Sequence, residues 1–192
     1  MNPDAAAVLE FWFGAPGSAV HGKSRREWFA KDPAFDEEIR RRFLALHASA
    51  ALGECDRWAA SPRELLALVI VLDQFSRNLY RDDPRAFTQD ERALSAATIL
   101  VDKGWDAQLA PLERQFVYLP FEHAEDLGAQ DRCVALMTAL EAFDETRGLT
   151  EWAEKHRVII RRFGRFPHRN ATLGRASTPE EAAFLLEPGS RF

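Results

Sequence analysis

The sequence predicts an all-α fold, and three observations carry that prediction. Apolar residues recur at spacings of three and four, most clearly at Phe35, Ile39, Phe43 and Leu46. Proline repeatedly follows a side chain that can cap a helix, at Asp32-Pro33, Ser61-Pro62 and Thr178-Pro179. No alternating apolar and polar stretch of strand length breaks the pattern. A chain of 192 residues, 46% apolar, with 14 Phe and 5 Trp, can bury one substantial core, so residues 1–192 are expected to form a single helical domain.

The elements follow in order. Asp4 is placed to cap a short helix that runs through Phe13 and stops at Gly14. Residues 15–26 hold Pro16, Gly17, Ser18 and Gly22 and read as loop, a candidate lid. Asp32-Pro33 opens an amphipathic helix ending near Gly53. Ser61-Pro62-Arg63-Glu64 fits a capping box, and the helix it opens, through about Asn78, is apolar on nearly every side and therefore central. Arg85 to Lys103 is the next helix, stopped by Gly104. Pro111 starts another, which reaches about Asp126 across the internal Pro120, where a kink is expected. Helices over 130–146 and 150–163 follow, and Thr178-Pro179-Glu180-Glu181 repeats the capping-box signature for a last short one. The aromatic groups Phe11-Trp12-Phe13 and Trp28-Phe29 read as core rather than as a ligand platform.

Composition narrows the function classes. A net charge of −5 argues against a dedicated nucleic-acid binder. No apolar run approaches the ~20 residues that cross a bilayer, and the start of the chain lacks the features of a secretory signal. Cys55 and Cys133 are far apart with no metal-ligand spacing, which suits a reducing cytoplasm and predicts no metal and no cofactor. The glycine-rich loop has no phosphate-cradle spacing, and no nucleophile elbow is present.

Three segments place polar residues where apolar ones are expected. In Leu72-Asp73-Gln74-Phe75-Ser76-Arg77-Asn78, Asp73 and Arg77 are four apart and share a helix face. A carboxylate inside so apolar a helix must be paired or protonated. In Tyr118-Leu119-Pro120-Phe121-Glu122-His123-Ala124-Glu125-Asp126, a His among carboxylates has the make-up of a general base. The third segment runs against the acidic background: between Lys155 and Arg175 lie seven basic residues, two His and no acid. Gly164 is expected to end a helix there. The turn after it, Phe166-Pro167-His168-Arg169-Asn170, gathers donors that can hold an oxyanion. Each segment also has a structural reading, as an ion pair, a salt-bridged helix end and a capping loop respectively.

The segments VLEFWFG, LDQFSRNLYR, YLPFEHAED and HRVIIRRFGRFPHRNATLGR occur in that order across essentially the whole chain. Together they resemble the bacterial family known as domain of unknown function 924. The resemblance implies a tetratricopeptide-like curved superhelix and brings no established activity with it. The chain departs from an EHSE form of the third segment by carrying Ala124 in place of Ser, which removes a hydroxyl from that position.

The combined expectation is one domain of antiparallel helix pairs whose three polar segments converge on a groove. The leading function is a site for a small anionic ligand, with catalysis left open. Among the candidate catalytic residues, His123 or His168 is the acid–base group, oriented by Glu122 or Asp73. Arg77, Asn78, Arg165, Arg169 and Asn170 are the candidate ligand-binding residues. A protein or peptide partner in the groove is the competing class. A network that only holds the helices together is the third reading. An open pocket favours the first, a long shallow groove the second, and mutual burial the third.

Overall fold

The structure is a computed structural model that describes residues 1–190. Among the described residues it is built of eight helices, joined by short 3-10 turns, with no strand. These are α1 (Pro3–Phe13), α2 (Pro33–Ala51), α3, α4 (Asp90–Asp102), α5 (Pro111–His123), α6 (Leu127–Leu140), α7 (Leu149–Phe163) and α8 (Pro179–Phe184). Helix α3 begins as Pro62–Val69, passes without a break into a π-helical segment, Ile70–Phe75, and closes with the α-turn Ser76–Leu79. From α2 to α7 each helix packs against the next in chain order, and α3 also packs against α1 and α5.

The start signals work mostly as the sequence predicts. Asp32 accepts hydrogen bonds from the amides of Ala34 and Phe35 at 3.0 and 3.1 Å. Thr178 and Glu181 form a reciprocal capping box at 3.1 and 2.8 Å. Several details differ. The helix expected over 130–146 runs Leu127–Leu140, because Asp126 caps it earlier and Asp144–Thr146 forms a separate 3-10 turn. Asn2, not Asp4, caps α1, accepting from Asp4 N at 2.8 Å, because Pro3 takes the first helical position. Ser61 makes no capping bond, and Glu64 instead accepts from the Asn2 amide at 2.5 Å, tying α1 to α3. The helix expected from Arg85 starts at Asp90, because Asp83-Pro84 first forms a separate 3-10 turn.

The expected central helix is the core. Leu65, Leu66, Val69, Ile70, Val71 and Phe75 of α3 have no solvent exposure. Burying each such side chain contributes about 1.5–3 kcal/mol. Trp12, Phe13 and Trp28 join them, Trp12 meeting Phe116 edge-on at 5.5 Å between ring centres. Phe29, expected in the core, is instead 60% exposed, lying flat over Phe116. The glycine-rich loop closes on the end of α1: His21 Nδ1 lies 2.9 Å from the Gly14 carbonyl. Gly14 has φ +86°, and a Cβ there would sit 2.9 Å from the His21 amide nitrogen, so only glycine fits.

The end of α5 is held by one residue of α6. The buried Gln130 side chain donates through Nε2 to the carbonyls of Glu122 at 2.6 Å and Ala124 at 2.9 Å. The helix stops at His123, three residues earlier than its apolar pattern suggests, and Pro120 lies inside it. Asp126 turns outward to cap α6, accepting from Ala129 N at 2.8 Å. Glu122 and His123 are thereby fixed on the last turn of a helix with a pinned terminus.

Candidate functional site

The π-helical segment of α3 sets the position of Asp73. Two side chains one turn later donate to its backbone: Ser76 Oγ to the Leu72 carbonyl at 2.6 Å and Arg77 NH1 to the Asp73 carbonyl at 2.9 Å. Such widened turns recur at functional sites. The Asp73 side chain is wholly buried. Its Oδ1 lies 2.7 Å from His123 Nδ1 and 3.2 Å from Arg77 NH1, and its Oδ2 accepts from Gln74 Nε2 at 2.5 Å. Burial alone would raise this carboxyl; the charges of Arg77 and His123 and the bonds from His123 and Gln74 outweigh it and hold it well below the usual carboxylate range.

An ionised carboxylate can only accept, so His123 Nδ1 carries the proton and donates it. Burial and the Arg77 charge lower the His123 pKa against the pull of Asp73, so the ring is neutral at neutral pH. Its Nε2 then bears the basic lone pair. A carboxylate that fixes the tautomer and orientation of an imidazole is the arrangement general bases use.

Arg77 continues the network outward. It grips Asp90, the first residue of α4, through NH1 to Oδ1 at 3.0 Å and NH2 to Oδ2 at 3.1 Å. Arg169, from the loop after α7, donates to the same Asp90 Oδ2 at 3.2 Å. Its guanidinium lies between the rings of Phe87 and Phe166, at 4.7 and 4.6 Å. Arg169 is only 7% exposed and its Nε has no hydrogen-bond partner among the described residues. Burial, then the charge of Arg77, lowers its pKa to about 10.

Glu122 points to the other side of α5. It is buried, and desolvation with the nearby Asp73 charge pushes its pKa up to about 8. His156 Nδ1 lies 3.5 Å away but gives its proton to the Trp152 carbonyl at 2.9 Å. Burial holds His156 down to about 3. Both groups are neutral, and the pair is a packed contact rather than a salt bridge.

The structure thus joins Asp73, His123, Arg77 and Arg169, drawn from all three expected segments. His168 stands beside them through Phe166, with ring centres 5.6 Å apart. The remaining candidates are held elsewhere. Asn78 donates to Asp36 Oδ1 at 2.7 Å, beside the Arg81–Asp36 ion pair. Arg165 pairs with Glu181 at 2.6 and 2.8 Å, and Asn170 donates to the same Glu181 at 3.2 Å and to Ser177 at 3.1 Å. These last two fasten the loop to α8 because Glu181, buried in its first turn, needs several donors. Glu122 does not orient His123; Asp73 does. Asp90 escapes sequence reasoning, since an acid at a helix start is already explained by the dipole. Gln74 and Phe87 give no signal either.

Asp73, His123, Arg77 and Arg169 meet through direct contacts and the shared Asp90, with His123 and Arg77 still partly exposed. Two cavities lie away from them: about 330 Å³ beside Val158, Ile159 and Phe184, and about 250 Å³ beside Asp36, Asn78 and Arg81. No group of His, Cys, Asp and Glu among the described residues could hold a metal ion. His47 Nε2 lies 2.8 Å from Ser76 Oγ, but that hydroxyl gives its proton to the Leu72 carbonyl, so the imidazole donates to the serine and cannot activate it. No helix among the described residues is long and apolar enough to cross a membrane.

Comparison with known proteins gives two matches. The model of a family described as bacterial protein of unknown function (DUF924) matches residues 8–189. A solved structure, that of the protein of unknown function ATU0120 from Agrobacterium tumefaciens, is similar with 40% identity and a TM-score of 0.83, covering 95% of this chain and 96% of that one. No curated protein matches. The family match over residues 8–189, with a 40% identical relative of the same fold over 95% of the chain, establishes that this chain belongs to the bacterial DUF924 family.

Proposed function

We propose that the cluster around Asp73 and His123 binds a small anionic ligand and moves a proton on it. The observation that carries this reading is the 2.7 Å contact between Asp73 Oδ1 and His123 Nδ1 beside two arginines. It leaves the Nε2 of a neutral imidazole as the basic atom, next to cations that can hold the ligand's charge. His123 takes the acid–base role and Asp73 positions it; Arg77 and Arg169 bind the anion. His168 flanks the site. The cytoplasm is the proposed location, supported by two buried cysteines that form no disulfide.

Nitrogen NMR of the histidine rings tests this. His123 should appear as the Nδ1-protonated tautomer at pH 7, and millimolar citrate or phosphate should move its Nε2 signal. Asp73→Asn should scramble the tautomer. A doubly protonated His123 at pH 7, or a ring indifferent to every anion tried, excludes the acid–base role.

A second reading, a protein or peptide partner, is supported by the apolar cavity on α7. Val158, which lines it, is 54% exposed. Val158→Glu should abolish capture of such a partner while leaving the His123 signals unchanged.

A further inference from the structure

The two arginines differ from Asp90 in how firmly they are held. Arg77 NH1 is fixed by both the carboxylate and the carbonyl of Asp73. Arg169 is clamped between Phe87 and Phe166. Asp90 has a short side chain, is partly exposed, and starts a helix immediately after the irregular turn 84–89. Its side chain is 17% exposed and sits at the N-terminus of α4, where the helix dipole favours a negative charge.

Asp90 also satisfies the arginines incompletely. Its two oxygens meet Arg77 twice and Arg169 once, and the buried Arg169 Nε has no acceptor among the described residues. The other nearby acids are committed. Asp73 is taken by His123, Gln74 and Arg77, and Glu125 is held by both terminal nitrogens of Arg175, at 2.6 and 2.9 Å, and by the Phe166 amide at 2.7 Å.

We propose that Arg77 and Arg169 form a receptor for a compact oxyanion, a carboxylate or a phosphate, and that the Asp90 side chain is its internal occupant, displaced when the ligand binds. The proposal rests on the anion-site reading above and adds the identity of the subsite and the exchange that opens it. A phosphate offers a third oxygen, which Asp90 lacks and which the unbonded Arg169 Nε can take.

The test uses the full chain and the variant Asp90→Asn, which keeps size and removes the charge. Thermal melting is measured in inorganic phosphate, in acetate, and in chloride of matched ionic strength, because screening acts alike for all three. Asp90→Asn should gain a few degrees in phosphate over chloride, and the wild type clearly less, since its own carboxylate competes. The double variant Asp90→Asn/Arg169→Met should lose the gain. A larger response to acetate than to phosphate identifies a carboxylate ligand and supports the receptor equally. An Asp90→Asn response no larger than the wild type's, or one that survives loss of Arg169, overturns the proposal.

If Asp90→Asn does not fold, the unaltered protein decides. The Arg169 Nε–H resonance should shift downfield with phosphate and saturate; no shift at the highest soluble concentration overturns the proposal. Failure of the acid–base reading looks different. In that case the receptor responds to phosphate as described while the His123 ring signals do not move.

Discussion

Asp73 and His123, fifty residues apart in sequence, meet at 2.7 Å between Oδ1 and Nδ1 where the π-helical segment of α3 faces the last turn of α5. The contact joins the most buried acid of the molecule's central helix to an imidazole that still reaches solvent, with 15% of its side chain exposed.

Removing Asp73 orphans several donors at once. Asp73→Ala leaves the His123 Nδ1–H, the Gln74 amide and one face of Arg77 without their acceptor in a buried site. Breaking a buried charged pair costs about 3–5 kcal/mol. Arg77 retains Asp90, which places the expected loss near the lower end of that range. Urea melts of the variant against wild type measure it; a loss below ~1 kcal/mol means the carboxylate is not a core partner.

Stability should peak near pH 6.5. Glu122 is raised from 4.5 to about 8, so the folded state holds its proton while the unfolded chain releases it. Its contribution is complete below pH 4.5 and is lost as pH rises to 8. His156 is lowered from 6.5 to about 3, and His123 is lowered too, so the unfolded chain binds protons the folded state refuses. Their contribution is lost as pH falls below 6.5, and the depressed Asp73 adds to the acid loss below 3.8. Of these four groups only Glu122 acts between pH 6.5 and 8, where about 1.4 kcal/mol is expected per pH unit. Glu122→Gln should flatten that limb of a stability curve measured by urea melts; an unchanged alkaline decline assigns it to other groups.

Arg169 has been desolvated for one 3.2 Å hydrogen bond. Replacing it by Met keeps a stem between Phe87 and Phe166 and removes a charge that burial penalises. Asp90 is partly exposed and keeps both bonds from Arg77, so no buried charge is left unpaired, and Arg169→Met should change stability by less than ~1 kcal/mol. It should also lose the phosphate response. A loss of about 3 kcal/mol or more in urea melts would mean Arg169 serves to hold Asp90 in place.

Asn170 should behave oppositely. It is 1% exposed and joins Glu181, Ser177 and Arg175, whose Nε donates to its Oδ1 at 3.0 Å. Asn170→Ala should destabilise by about 1–3 kcal/mol through orphaned partners, with the His123 ring signals unmoved. Chemical denaturation with NMR on the same sample checks both parts.

Local signals made the fold readable. Periodicity, prolines after capping residues and the apolar run of α3 act within one or two turns, so a linear sequence contains them. They identify every helix and mark Asp73, His123 and Arg169 as polar residues in the wrong company. Caps and boundaries slipped where a distant group competed: Glu64 bonds Asn2 instead of completing a capping box at Ser61, and Gln130 holds the end of α5 at His123. The choice of partners lay beyond the sequence altogether. Arg165 and Arg169 look equivalent on one basic loop, yet the first meets Glu181 on α8 while the second is buried against Asp90 on α4. Desolvation, which separates the neutral Glu122 from the ionised Asp73, depends on every atom packed around a carboxyl, and only the tertiary structure assembles those atoms.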